Sequence, residues 1–305
     1  MLKSVVLLLT ALAVAVPALA AVTPHETVLT LSYGNAVGQL DTTLVSADDP
    51  SRTLVQSFRV EENGTAWVFP RWEVAGQRTV LLCYERGAFA REVPFTGYTA
   101  DFLLAPDGVY SWGPAANEDV AAQVAFDPGK GEVRYAKLPA SAVAKPGFAG
   151  WLESFGGNPC LVGRGEGNHL FTVRLSRGLS SAQLSSQVDV DRGVTVPGAS
   201  GGPVWQDTKL VKQGTRPVYD IGLQEGTLVA VFPDAGFVIR RPGERNGDTR
   251  NPVFEIRNAT GDLVRTVVTL PRTDQFGVGT PPWIFTPQHV YQLLLGPAEG
   301  QLVRY

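Results

Sequence analysis

Ser57-Phe-Arg-Val60, then Glu61-Glu-Asn-Gly64, then Thr65-Ala-Trp-Val-Phe69: this stretch reads as strand, turn and strand. Its flanks carry aromatic and β-branched side chains, which fit the pleated, half-buried surface of a sheet. Asn63-Gly64 is a favoured hairpin pair because both residues tolerate positive φ. The same shape recurs. Residues 101–112 (DFLLAPDGVYSW) bend at Pro-Asp-Gly, and residues 151–162 (WLESFGGNPCLV) bend at Gly-Gly-Asn-Pro. Residues 218–232 and 283–295 supply a fourth and a fifth unit.

Further strand-like runs lie between these units, at 79–84, 120–126, 132–138, 169–175, 252–257 and 263–270. Each is short, rich in Val, Phe, Tyr, Trp or Thr, and bounded by Gly, Pro, Asn or Asp, which is the strand-and-turn signature. No long amphipathic helix is legible. The segments 52–98 and 99–140 each hold about four strands. A four-stranded repeat of forty to fifty residues has the period of a propeller blade. One twisted blade cannot cover its own faces, so blades stack around an axis and bury them against their neighbours.

On these units the chain resembles exported β-propellers with loose "strand, Asp/Asn-Gly turn, aromatic strand" blades. The resemblance covers most of residues 50–305 and implies an all-β, propeller-like domain of five or six blades. Phe58 and Trp283 are 225 positions apart. Five equal intervals would imply six anchors, and the sixth would fall in 180–216, where the pattern is weakest. The early run 27–32 and the final run 301–305 would pair to complete one blade, because ring closure removes exposed strand edges. The alternative is two β-sandwich domains split near 140–150, where Ala-Ser-Ala-Val-Ala-Lys-Pro-Gly looks like a linker.

The amino terminus bears on compartment. Lys3 gives a positive start, Val5 to Val16 is an unbroken run apart from Thr10, and Ala18-Leu19-Ala20 forms an A-x-A cleavage pattern. Residues 1–20 therefore read as a signal peptide, and 21–305 as one exported domain, periplasmic, cell-surface or extracellular, with no membrane span after cleavage. In an oxidising compartment Cys83 and Cys160 would pair, closing a long loop worth about 4 kcal/mol. Two buried free thiols are the other reading. Asn63-Gly-Thr65 and Asn258-Ala-Thr260 fit the glycosylation pattern but read first as turns.

Composition narrows function. The chain has 305 residues, a net charge of −3, three histidines and two cysteines. A mildly acidic, mixed-sign chain does not advertise nucleic-acid binding. So small a supply of imidazoles and thiols nearly excludes an imidazole-rich or thiolate zinc site. Gly and Pro total more than one residue in six, which suits many short strands and turns.

Pro197-Gly-Ala-Ser-Gly-Gly-Pro-Val-Trp205 resembles the segment around the nucleophile of trypsin-like serine peptidases. Carried over, Ser200 would be the nucleophile, with amides near Gly198 and Ser200 shaping an oxyanion hole. His169 and Asp189 would have to complete the triad, in a spacing that does not fit that family, and His25 has no better neighbourhood. A small-residue turn explains the segment equally. Asp189 and Asp191 would share one strand face and could serve calcium, but the rest of an EF-hand series is missing. Gly163-Arg-Gly-Glu-Gly167 reads as a hairpin loop. The mixed-sign run 240–250 would suit an anionic glycan if it binds anything. Glu61-Glu62, Glu118-Asp119 and Glu153 are carboxylates of the type a glycosidase uses. Trp67, Trp72, Trp112, Trp151, Trp205 and Trp283 read as core, although a carbohydrate cleft would look the same.

These features point to an exported, non-catalytic binding or scaffolding module of the cell envelope or extracellular space. They call for no cofactor and suggest a protein or glycan partner. The competing expectation is a secreted hydrolase, using carboxylates on a propeller or Ser200.

Overall fold

A computed structural model of the chain describes residues 21–42, 53–70, 78–98, 100–114, 120–139, 149–155, 157–164, 170–180, 182–188, 204–206, 209–211, 217–220, 226–232, 236–241, 245–246, 249–271, 277–278 and 282–305. Five sheets with a four-stranded antiparallel core form a five-bladed β-propeller. Strand β1 (Glu26–Ser32) comes first in the chain but belongs to the last blade. Blade one is β2 (Thr53–Val60), β3 (Ala66–Pro70), β4 (Arg78–Glu85) and β5 (Ala88–Thr96). Blade two is β6 (Asp101–Ala105), β7 (Gly108–Pro114), β8 (Val120–Asp127) and β9 (Arg134–Pro139). Blade three is β10 (Ala149–Phe155), β11 (Asn158–Arg164), β12 (Leu170–Leu175) and β13 (Ala182–Val188).

Three short strands follow as a sheet of their own: β14 (Val204–Gln206), β15 (Lys209–Val211) and β16 (Pro217–Asp220). Blade four contains β17 (Thr227–Phe232) and β18 (Gly236–Arg241). The small hairpin β19 (Arg245–Asn246) and β20 (Thr249–Arg250) intervenes before β21 (Val253–Arg257) and β22 (Leu263–Val268) complete it. Strand β23 (Gly277–Val278) runs parallel beside β2. The closing blade is β24 (Trp283–Phe285), β25 (Val290–Leu295) and β26 (Glu299–Arg304), with β1 paired antiparallel to β26.

The hairpin that decides the fold shows why blades stack. Alternate residues of a strand point to opposite faces, and in β3 both faces are covered. Ala66 and Val68 pack with Phe58, Leu82, Leu293 and Leu302, joining blade one to the closing blade. Trp67 and Phe69 pack with Leu81, Phe95 and Phe102, joining it to blade two. Phe69 meets Phe95 and Phe102 edge-on, with ring centroids 5.4 and 6.1 Å apart. Each such side chain contributes about 1.5–3 kcal/mol by leaving water. The outer strand β5, by contrast, exposes residues 88–92. Blades two and three share a core of Tyr110, Trp112, Phe126, Leu152 and Leu161. Blade four and the closing blade share one of Val238, Phe254, Val290, Val303 and Tyr305.

First strands converge: β24 lies beside β2, β2 beside β6, and β6 beside β10. They are therefore the inner strands. The two ends of the chain close the ring as their sequence suggests, since Thr27 pairs with Val303 and Leu31 with Gly300. Tyr305, just past β26, ties the closing blade to blade four: its hydroxyl donates to Gln292 on β25 at 2.6 Å and accepts from the Leu270 N–H, just after β22, at 2.9 Å.

Of the five or six blades expected, the structure has five. Two details differ from the sequence reading. Residues 218–232 do not form one unit, because β17 pairs with β18 across a nearer turn and leaves β16 to the three-stranded sheet. In the first hairpin only Gly64 takes positive φ (84°), closing the turn by donating its N–H to the Glu61 carbonyl at 2.9 Å. The Asn63 side chain instead accepts from the Thr65 N–H at 2.8 Å.

Candidate functional site at the axis

The first strands of blades one, two and three each carry one charged residue that meets the others: Arg59 on β2, Asp101 on β6 and Glu153 on β10. Strand β10 is the inner edge of its sheet, so one side of its backbone has no strand partner among the described residues. Such an edge must find other hydrogen bonds when buried. Asp101 and Arg59 provide them. The Leu152 N–H donates to the Asp101 carboxylate at 2.8 Å, and Arg59 Nη2 donates to the Leu152 carbonyl at 2.6 Å. An acceptor and a donor thus stand where a neighbouring strand would.

The same guanidinium pairs with Asp101 and donates from Nε to the Phe102 carbonyl at 3.2 Å. Arg59 therefore joins three blades. Asp101 is 1% exposed, and its Oδ1 has no hydrogen-bond partner among the described residues. The Ser57 hydroxyl, two residues before Arg59 on the same face of β2, is likewise buried without one.

Glu153 stands differently. Its side chain is 41% exposed, and its carboxylate lies 3.9 Å from Arg59 Nη1, too far for a hydrogen bond. Desolvation pushes its carboxyl above the ordinary range, opposed by the Arg59 charge and a long bond from the Ser154 N–H, and reinforced by Asp101. Partial exposure with desolvation places the carboxyl in a confined, solvent-reached position. Trp151, two residues earlier, shares its face of β10 and is half-buried, whereas Leu152 points the other way into the core shared with blade two.

Ser200, His169, Asp189 and Asp191, the residues named for a peptidase or calcium site, lie outside the described residues, as do Glu118-Asp119, Trp72 and the signal segment. His25 is exposed, with Nδ1 3.3 Å from the Thr23 carbonyl. Glu61 is tied into its own hairpin, accepting from Trp67 Nε1 at 2.9 Å, with Arg91 over the Trp67 ring. Among the described residues no group of three His, Cys, Asp or Glu is placed to hold a metal ion. Arg240 lies over the ring of Trp283, 5.5 Å from its centroid.

Of the two readings of Cys83 and Cys160, the structure has the free thiols, not the disulfide, and both are fully buried. Cys83 faces blade two from β4, whereas Cys160 on β11 faces away from blade two, which stands between them. Burial raises both thiols, Cys160 to about 11.

Glu153 was legible as a candidate by type. Arg59 and Asp101 were not singled out, yet a signal existed: one charged residue inside the apolar first strand of three successive repeats. The sequence matches no known family model and no curated protein.

Proposed function

We propose that this chain is an exported, non-catalytic binding or scaffolding module of the cell envelope or extracellular space. The observation that carries the reading is the use made of the axial charges. Arg59 and Asp101 complete the backbone of β10 and tie three blades together. Groups so engaged build a rigid platform, and rigid platforms that present loops and edges suit recognition. The export pattern at Lys3, residues 5–16 and Ala18-Leu19-Ala20 supports the compartment. Expression with the native amino terminus, followed by mass spectrometry, tests that part: export with a new terminus at Ala21 is expected, and retention of residues 1–20 inside the cell overturns it.

A fluorophosphonate probe tests the absence of a serine nucleophile. No labelling is expected, and labelling lost in Ser200→Ala would overturn the non-catalytic reading. A hydrolase reading is favoured by the position of Glu153, a solvent-reached carboxyl at the axis 3.9 Å from Arg59 that desolvation holds above its ordinary range, as suits a general acid. Its natural partner carboxylate, Asp101, is buried and bonded to Arg59 and Leu152. Turnover of oligosaccharides that disappears in Glu153→Gln would establish that second reading.

A further inference from the structure

We propose that Trp151, Glu153 and the free side of Arg59 form a binding site for a neutral, hydroxyl-rich saccharide; this deepens, and rests on, the binding-module reading. Three observations converge. Trp151 and Glu153 share one face of β10, about 7 Å apart along the strand, close to the span of one sugar ring. A half-buried indole offers an apolar platform for the ring's C–H face, while a nearby charged group orients the hydroxyls.

The second observation is the 3.9 Å gap between Arg59 Nη1 and the Glu153 carboxylate. A hydroxyl is both donor and acceptor. Lying between the two groups, it accepts from the guanidinium and donates to the carboxylate, satisfying both at ordinary distances. The third is charge. One guanidinium faces two carboxylates, so an anion meets excess negative charge. A cation is drawn by that excess, but the position beside both carboxylates is already held by the Arg59 guanidinium, which the Leu152 and Phe102 carbonyls keep in place. A neutral polyol suffers neither penalty.

The platform is fixed in advance. Leu152, between Trp151 and Glu153, is held by its side chain in the core of blades two and three and by both backbone groups at Asp101 and Arg59. Little ordering therefore remains to be done when a ligand arrives.

The purified full chain is titrated with cellotetraose, xylotetraose, maltotetraose and chitotetraose. Tryptophan fluorescence and calorimetry report binding, and proton NMR reports cleavage. At least one tetrasaccharide is expected to bind saturably. Trp151→Ala should weaken it about tenfold or more, Trp151→Phe less, and Glu153→Gln about threefold, all with unchanged folding by circular dichroism. If Trp151→Ala fails to fold, Trp151→Phe and Glu153→Gln carry the test. Binding of none of the four, or binding indifferent to the variants that fold, overturns the saccharide site. With no cleavage and no probe labelling, that result leaves the binding-module reading intact. Cleavage lost in Glu153→Gln would keep the site and overturn the non-catalytic reading.

Discussion

Two clusters of arginine and carboxylate sit in this ring with opposite ratios. At the axis one guanidinium, Arg59, serves two carboxylates, Asp101 and Glu153. In blade four two guanidiniums, Arg241 and Arg257, serve one carboxylate, Glu255. Arg241 Nε lies 3.0 Å from Glu255 Oε1 and its Nη2 3.1 Å from Oε2, while Arg257 donates to Oε2 from Nε and Nη2 at 2.9 and 2.7 Å. Desolvation raises the Glu255 carboxyl, but the hydrogen bonds and charges of the two arginines outweigh it, and the net shift is downward. For Glu153 desolvation prevails and the shift is upward. The ratio decides which carboxylate keeps capacity for a ligand: Glu255 is saturated by its own protein, and Glu153 is not.

The largest break in the comparison is expected at Asp101. Asp101→Ala leaves the Arg59 charge without its carboxylate and the Leu152 N–H without an acceptor, and should cost about 3–5 kcal/mol in urea unfolding. In an ordinary buried pair, replacing both partners by apolar residues recovers much of such a loss. Here Arg59→Met with Asp101→Leu should recover little, because the Leu152 N–H and the Leu152 and Phe102 carbonyls remain orphaned. Full recovery in the double variant would show that the pair interacts only with itself and does not replace a strand.

Blade four should respond less. Glu255→Gln keeps one acceptor, retains the shape, and lies in a cluster only partly shielded from solvent, so about 1–3 kcal/mol is expected at neutral pH. A loss as large as that of Asp101→Ala would mean that blade four depends on its charges as heavily as the axis does.

The pH dependences should run in opposite senses. Glu255 has a lowered pKa in the folded protein, so its contribution is present above the ordinary carboxyl value of 4.5 and is lost as pH falls through the lowered value. Glu153 has a raised pKa, so its contribution is present below 4.5 and is lost as pH rises through the raised value. Relative to wild type, Glu153→Gln should therefore gain in melting temperature between pH 4 and pH 7, whereas Glu255→Gln should fall behind. At a side chain 41% exposed, the Glu153 effect should stay below about 1 kcal/mol. Parallel profiles for the two variants would refute the assigned shifts.

The repeat was legible because its signal is local. Apolar alternation and a turn pair identify hairpins 101–112, 151–162 and 283–295 from a dozen residues each, and the structure has them as β6–β7, β10–β11 and β24–β25. The turn between β4 and β5 escaped because Arg86-Gly87, both at positive φ (52° and 76°), is not a pair whose composition advertises a hairpin. The site escaped for a different reason. Arg59, Asp101 and Leu152 lie 42 and 51 positions apart and meet only because three blades share an axis. The immediate surroundings of Arg59 do not distinguish a residue that bridges sheets from one that faces water; only the recurrence of one charged residue in the first strands of three repeats does.

The smallest effect should come from a third pair, which shows what the other two owe to burial. Glu26 on β1 bonds to Arg304 on β26 across the ring closure, with side chains 57% and 37% exposed. In open solvent such a pair pays for its own ordering and is screened by salt, so Glu26→Gln should change stability by at most about 0.5 kcal/mol. The closure does not need it. Leu29 and Leu31 are buried beside Leu293, Leu295 and Leu302, and the β1–β26 ladder runs from Glu26 to Ser32. A larger loss, abolished by high salt, would mean that the ring is held shut electrostatically. An unchanged urea midpoint would leave apolar burial and backbone pairing as what joins the two ends, and would confine strong charge effects to the inner strands and blade four.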